Sequence, residues 1–167
     1  MRSRSVKSAL GLWCGLVGMC VTPCAQAADT QTLGYLENAV IYPGALPMEA
    51  KLDTGADHSS LDARLLKRKR TPGGERIVFE IENKAGAKAR LERPVIRIAR
   101  IRRHYDKTEE RPVVMLDICL GTVKRTVEVN LANRKKLSYK MLIGRSFMAG
   151  NTIIDPNRTF TTKPACN

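Results

Sequence analysis

Several runs of this chain alternate apolar and polar residues with a period of two. Residues 77–82 read IVFEIE, residues 127–131 read VEVNL, and the run from Leu91 to Ile101 alternates in the same way. A period of two places successive side chains on opposite faces of an extended strand. These runs therefore predict β-strands with one face in a core and one face toward solvent.

Other apolar runs are short or continuous and stop at turn residues. We predict further strands over Leu33–Ile41, Leu46–Leu52, Val113–Cys119, Met141–Ile143 and Ile153–Ile154. The stretch NKAGAK, Asn83 to Lys88, predicts a hairpin turn, and the polar stretch Arg103 to Glu110 predicts a loop. Arg145 to Ala149 predicts one or two helical turns. Many short strands at this spacing indicate an all-β fold, either a small closed barrel or a sandwich.

The N-terminal region is typical of an export signal rather than of a folded element. Arg2, Arg4 and Lys7 precede an apolar stretch over residues 9–21, and Ala25-Gln26-Ala27 matches the small-residue pattern of a signal-peptidase site. We therefore expect residues 1–27 to be a signal peptide and residues 28–167 to form one domain. Secretion across an inner membrane into the periplasm follows from this expectation.

The composition is basic, with a net charge of +13. An exported protein rarely meets nucleic acid, so we expect no nucleic-acid partner, and weak contact with an anionic membrane or cell-wall surface. The basic stretches KRKR, Lys67 to Arg70, and RIARIRR, Arg97 to Arg103, are interpreted as solvated strand or loop faces.

Two of the five cysteines, Cys119 and Cys166, remain after removal of the signal peptide. An even pair in an oxidising compartment predicts one disulfide, which we expect within one chain, with a bridge between subunits as the alternative. The two histidines, His58 and His104, do not have the spacing of a metal site. We therefore expect neither a metal nor a cofactor.

The stretch LDTGAD, Leu52 to Asp57, carries the candidate chemistry. An apolar strand can anchor such a loop in the core and present Asp53 at its tip. The hydroxyl of Thr54 can brace the loop, and Gly55 allows the backbone to turn and bring its amide close to the carboxylate. A simple turn would use the same residue types, so the loop alone is only moderately specific.

The loop resembles the active-site loop of retropepsins, the single-domain aspartic proteases. MLIGRSFM, Met141 to Met148, is similar to the second retropepsin signature. The stretches KLDTGADHSSL, RPVV, LIGR and IDP also resemble bacterial retropepsin-like endopeptidases, which often carry the label ATP-dependent zinc protease. The residues support neither ATP nor zinc chemistry. One difference from those bacterial relatives is Asp57-His58, which makes the loop locally closer to the retroviral type.

The resemblance implies a small closed barrel with one short helix after Gly144, and it implies aspartic endopeptidase activity. Aspartic proteases use two carboxylates that share one proton. Because the chain has a single D-T-G, the activity implies a homodimer in which each subunit contributes Asp53 to hydrolyse a peptide or protein substrate.

The resemblance also assigns supporting roles. Thr54, Gly55, Ala56 and Asp57 form the active-site loop, Gly144 packs behind it, and Arg145 is expected to pair with Asp57. A lid is needed to exclude water from the site. We expect the turn at Asn83, Lys84, Ala85 and Gly86 to form this flap, with Arg103 to Glu110 as the rival.

Two other functions are compatible with the sequence. One is a module on the same fold that grips a peptide or cell-wall polymer without turnover. The other is a basic β-domain that binds surfaces and has no active site. The intact Asp53-Thr54-Gly55 sequence favours the protease, because a binding module has no need of that aspartate.

Overall fold

The computed structural model describes residues 30–102 and 108–166. The predicted signal peptide, residues 1–27, and most of the rival flap loop lie outside the described residues. Within the described residues, no helix is long and apolar enough to cross a membrane.

The described chain is almost entirely β-structure. Its elements in chain order are β1 (Gln31–Tyr42), β2 (Leu46–Leu52), β3 (Ser59–Asp62), β4 (Arg64–Thr71), β5 (Gly74–Glu82), β6 (Lys88–Pro94), β7 (Arg97–Arg102), β8 (Thr108–Leu120), β9 (Val123–Ala132), β10 (Met141–Ile143), α1 (Arg145–Met148) and β11 (Thr152–Thr159).

Six of these strands close into a barrel. Their order is β1-β2-β10-β3-β9-β8, and the ring closes because β8 also pairs with the end of β1, from Ala39 to Tyr42. The start of β1 pairs instead with β11. β1 therefore pairs with three strands, β2 along one edge and β8 and β11 along the other. The predicted all-β fold, a small closed barrel with a short helix after Gly144, is confirmed.

A second sheet of three strands, β4-β5-β6, packs beside the barrel. Ile77, Phe79 and Ile81 on β5 are fully buried and join the same apolar core as the barrel strands. Burying a large apolar side chain contributes about 1.5–3 kcal/mol. The buried side chains of this alternating run therefore hold the second sheet against the barrel.

Three sequence predictions need correction. The run from Leu91 to Ile101 is two strands, because β6 ends at Pro94 and the chain then moves to the other sheet as β7. Proline cannot donate to a strand ladder, so a strand end there is expected. The predicted loop Arg103 to Glu110 is strand from Thr108 onward, and β11 continues through Pro156 instead of ending before it.

The C-terminal tail is fixed to the barrel by a buried carboxylate. Glu37 on β1 has no exposed surface. Its carboxylate accepts hydrogen bonds from the backbone amides of Gly34 (2.7 Å), Thr161 (2.9 Å) and Thr162 (3.3 Å), and from the Thr161 hydroxyl. Four donors replace the water that this charge loses on burial.

The tail is also held covalently. Cys119 on β8 and Cys166 form a disulfide within the chain, as predicted. Nearby, Ala165 donates its amide to the carbonyl of Gly121 (2.8 Å). The tail therefore follows the barrel of its own subunit.

Replacing Glu37 by alanine should lower the free energy of unfolding by about 3 kcal/mol, because the buried amide of Gly34 and the partly buried amides of Thr161 and Thr162 lose their acceptor. Chemical denaturation with the disulfide intact measures this. Glu49→Ala, on the neighbouring strand β2, is the matched control: Glu49 bonds the exposed side chain of Lys84 in the β5–β6 turn, and its loss should cost under about 1 kcal/mol. Equal costs for the two variants would contradict the role given to Glu37.

Candidate active site

Asp53 follows directly on β2, where this strand lies between β1 and β10 in the barrel wall. The last residue of β2, Leu52, is buried, and Asp53 itself is partly exposed. The Asp53 amide donates to the carbonyl of Ile143 at the end of β10 (2.9 Å). The core thus holds the backbone on one side while the carboxylate faces outward.

The loop turns back over its own carboxylate. The Gly55 amide donates to Asp53 Oδ1 (3.0 Å), and the Ala56 amide donates to the Asp53 carbonyl (3.2 Å). Gly55 also leaves little room for a side chain, because a Cβ there would lie 3.2 Å from the Asp53 carboxylate. The loop therefore presents the carboxylate with a fixed donor beside it, as predicted for this sequence.

Helix α1 braces the loop from behind. The amide of Arg145 donates to the carbonyl of Ala56, and that of Ser146 donates to the carbonyl of Asp57, both at 2.9 Å. These two amides are among those that a helix start leaves without an internal partner. The loop and the helix thus satisfy each other's backbone groups.

Gly144 allows this close approach. A Cβ at this position would lie 2.6 Å from the backbone carbon of His58 and 3.0 Å from the carbonyl oxygen of Ala56. Backbone atoms cannot move aside cheaply, so only glycine fits. The Gly144 amide donates to the Ser59 hydroxyl (3.2 Å). The geometry agrees with the predicted packing role of Gly144.

The predicted pair of Asp57 and Arg145 is confirmed. The Arg145 guanidinium donates to the Asp57 carboxylate and, through Nη1, to the carbonyl of Thr54 (2.6 Å). The two side chains are 50% and 73% exposed, so the attraction is screened by water and is modest in energy. The pair therefore serves mainly to fix the geometry of both ends of the loop.

A cleft of about 550 Å³ lies beside this loop. The loop residues 56–58 form one side, and β7 forms the opposite wall. Four arginines contribute to the lining: Arg97, Arg100, Arg111 and Arg134. The cleft is therefore rich in hydrogen-bond donors that suit carboxylates.

The floor of the cleft is a buried polar network. The Ser60 hydroxyl donates to Asn130 Oδ1 (2.9 Å), and Arg111 donates to the same oxygen (3.2 Å). Arg111 also forms two hydrogen bonds with the carboxylate of Glu109. Arg134 is buried as well and donates to the carbonyl of Tyr139 (3.0 Å).

Sequence reasoning missed this floor. The VEVNL alternation places Asn130 on the same face as Glu128, and that face reads as solvent-exposed. A polar residue that faces a cleft gives the same pattern as one that faces water. The RPVV stretch, which begins at Arg111, was the one available signal.

The predicted flap at Asn83, Lys84, Ala85 and Gly86 is not supported by the structure. The Asn83 amide group donates to the carbonyl of Pro47 (3.1 Å), at the start of β2. Pro47 lies six residues before Asp53, about 20 Å away along a strand. The turn therefore packs at the far end of β2 from the catalytic loop.

The hairpin β7–β8 lies beside the catalytic loop instead. Its residues from Arg97 to Ile101 line the cleft together with residues 56–58. This is the hairpin of the rival loop, Arg103 to Glu110, whose residues 103–107 lie outside the described residues. Among the residues that the structure does describe, no group of three or more His, Cys, Asp or Glu is placed to hold a metal ion.

Comparison with known proteins identifies a family, a solved structure and a set of curated relatives. Residues 32–165 match the family described as "Retropepsin-like aspartic endopeptidase RimB". A crystal structure of a protein of unknown function from Legionella pneumophila is 36% identical and superposes with a TM-score of 0.67, over 79% of this chain and 98% of that one.

Curated relatives carry a different name. A "Probable alpha-L-glutamate ligase" of Shewanella pealeana is 32% identical over 120 residues, or 70% of this chain, and one of Parasynechococcus marenigrum is 32% identical over 116 residues, or 68% of it. The matched stretches are 26% and 25% of those relatives, so the chain spans about a quarter of their length. The match over residues 32–165, together with the barrel and the braced D-T-G loop, shows that this chain belongs to the RimB-like family of retropepsin-like aspartic endopeptidases.

Proposed function

We propose that this protein is an exported aspartic endopeptidase that acts as a homodimer, with Asp53 of each subunit as the catalytic carboxylate. The observation that carries the proposal is the presentation of Asp53 at the end of β2, on a loop that is fixed by Gly144 and Arg145 and whose residues 56–58 line the cleft. A loop that is fixed before substrate arrives needs no reorganisation during the reaction.

The chemistry follows from two carboxylates that share one proton. The ionised carboxylate takes a proton from a water molecule, whose oxygen forms a bond to the carbonyl carbon of the peptide. The protonated carboxyl donates to the carbonyl oxygen. The nitrogen then gains a proton, the C–N bond breaks, and a carboxylic acid and an amine are released. One Asp53 alone cannot fill both roles.

The surface beside Thr54 supports self-association. Thr54, Arg145, Met148 and Ile154 line a recess of about 330 Å³. Ile153 on the adjacent edge strand β11 is 58% exposed. An apolar residue beside an unpaired strand edge is suited to a partner. A two-fold axis at this face would bring the two D-T-G loops together.

The cleft favours acidic peptides as substrates. Four arginines line it, and planar guanidinium groups bind carboxylates with two parallel hydrogen bonds. The curated relatives are named as probable alpha-L-glutamate ligases, which supports a glutamate-containing substrate. Export is supported separately, by the signal-like sequence of residues 1–27.

The alternative is a peptide-binding module without turnover. The cleft and its arginines would serve such a module equally well. A binding module would not require the carboxylate of Asp53, so substitution of this residue separates the two functions.

Asp53→Asn should abolish hydrolysis and leave both fold and dimer unchanged, because the amide keeps the shape but cannot share a proton. Wild-type activity should show a bell-shaped dependence on pH. Mass spectrometry of a digested peptide library measures cleavage, and circular dichroism checks the fold. Asp117→Asn, on β8, is the control and should remain active. Full activity of Asp53→Asn would refute the aspartic mechanism.

Arg145→Ala should weaken the dimer before it weakens the fold. The substitution frees both Asp57 and the Thr54 carbonyl beside the proposed interface, so the dimer dissociation constant should rise about tenfold. Analytical ultracentrifugation measures this constant. Arg145→Lys should restore little of the dimer affinity, because an ammonium group lacks the planar pair of donors with which a guanidinium binds two acceptors. Arg68→Ala, which breaks an exposed pair with Glu75, should leave the dimer intact.

Peptides rich in glutamate should be cleaved with a lower KM than the same peptides with glutamine. The difference should shrink as salt is added, because salt screens exposed charges. Arg100→Gln should raise KM about two- to fivefold for the glutamate peptide and leave the glutamine peptide unchanged. Equal KM values for the two peptides in the wild type would remove the acidic preference and leave the endopeptidase proposal standing.

A further inference from the structure

One carboxylate connects the two sides of the cleft. Glu128 on β9 accepts a hydrogen bond from Arg97 Nε (2.8 Å) and a second from the Nη2 of the same residue. The Nδ1 atom of His58 lies 3.5 Å from the same carboxylate oxygen. Arg97 belongs to the β7 wall and His58 to the loop that carries Asp53, and both line the cleft.

The connection spans three strands. Arg97 is paired with Val113 on β8, and Val113 is paired in turn with Asn130 on β9. The Arg97 side chain therefore crosses β8 to reach Glu128. No described backbone hydrogen bond joins β7 to residues 53–58. The side chain of Glu128 is thus the described polar link between the wall and the loop.

We propose that Glu128 is a positioning residue that sets the separation between the β7 wall and the Asp53 loop, and that protonation of His58 tightens this link. The consequence for catalysis rests on the proposed endopeptidase function. The link itself rests on the geometry of the three side chains.

The charged groups around His58 determine the sign of the effect. Asp57, its neighbour in the loop, is engaged by Arg145 of α1, and Arg97 of β7 is engaged by Glu128. The hydrogen bond from Arg97 lowers the pKa of Glu128, and His58 acts in the same direction. Glu128 therefore stays ionised while histidines change charge, between about pH 5 and 8. The imidazolium form of His58 adds a second cationic contact to the link, and the neutral ring does not.

The first experiment needs no enzymatic activity. NMR follows the titration of the His58 ring, which the His58→Gln variant assigns. In Glu128→Gln the midpoint should move to lower pH, because the imidazolium loses the carboxylate that lies 3.5 Å from it. An unchanged midpoint would overturn the link. Glu75→Gln, which removes the carboxylate of another cross-strand pair, should leave the midpoint where it is.

The second experiment measures kcat and KM for an acidic peptide across the same pH range. In the wild type, KM should rise about two- to fivefold from acid to neutral pH, the size expected for a partly exposed ion pair. His58→Gln and Glu128→Gln should each flatten this rise, and the double variant should resemble either single one. The shape of the kcat profile should be kept, because Asp53 is unchanged.

A rise in KM that persists in both variants would show that the link does not set the separation between the β7 wall and the Asp53 loop. Loss of stability alone would lower the active fraction and kcat without removing the pH dependence of KM, so it does not imitate the expected result. A wild-type protein that hydrolyses no peptide would refute the proposed function, and the NMR titration would still decide whether the link exists.

Discussion

The contact between the backbone of residues 56–58 and the start of α1 is the constraint on which the site depends. Gly144 permits a separation that any Cβ would prevent, and the amides of Arg145 and Ser146 bind the loop carbonyls directly. The loop therefore cannot shift without breaking both of these backbone hydrogen bonds. The backbone of Asp53 is held by this contact and by the end of β10, and the Gly55 amide then orients its carboxylate.

The closed barrel places the Asp53 loop and the start of α1 side by side. β2 ends at Leu52 and β10 ends at Ile143, and the parallel pairing of the two strands aligns their ends. Because the strands are separated by about ninety residues of sequence, their alignment requires the rest of the ring to close. Closure in turn relies on the pairing of β1 with β8. The tail is held to β1 by its hydrogen bonds with Glu37 and to β8 by the disulfide of Cys119. The remote tail is thus part of the support of the loop that carries Asp53.

The sequence predicted those parts of the fold that depend on local pattern. The bounds of β2 and β10 and the helix after Gly144 were expected, because apolar runs end there at glycine or aspartate. The flap was assigned wrongly at Asn83 because both candidate turns lie between alternating strands. Only pairing between distant strands decides which turn faces Asp53. Asn130 was missed for a related reason, since a two-residue period distinguishes two faces but not water from a cleft.

The charge of the cleft is less simple than its four arginines suggest. Arg97, Arg100 and Arg111 each bond a glutamate, namely Glu128, Glu110 and Glu109. These acids compensate the field at long range, so the net charge of +13 does not by itself draw substrates into this cleft. A substrate carboxylate would instead gain, at short range, from arginine donors that the glutamates already hold in place. Recognition of this kind selects geometry more than charge, and it makes the partners of the arginines as important as the arginines themselves.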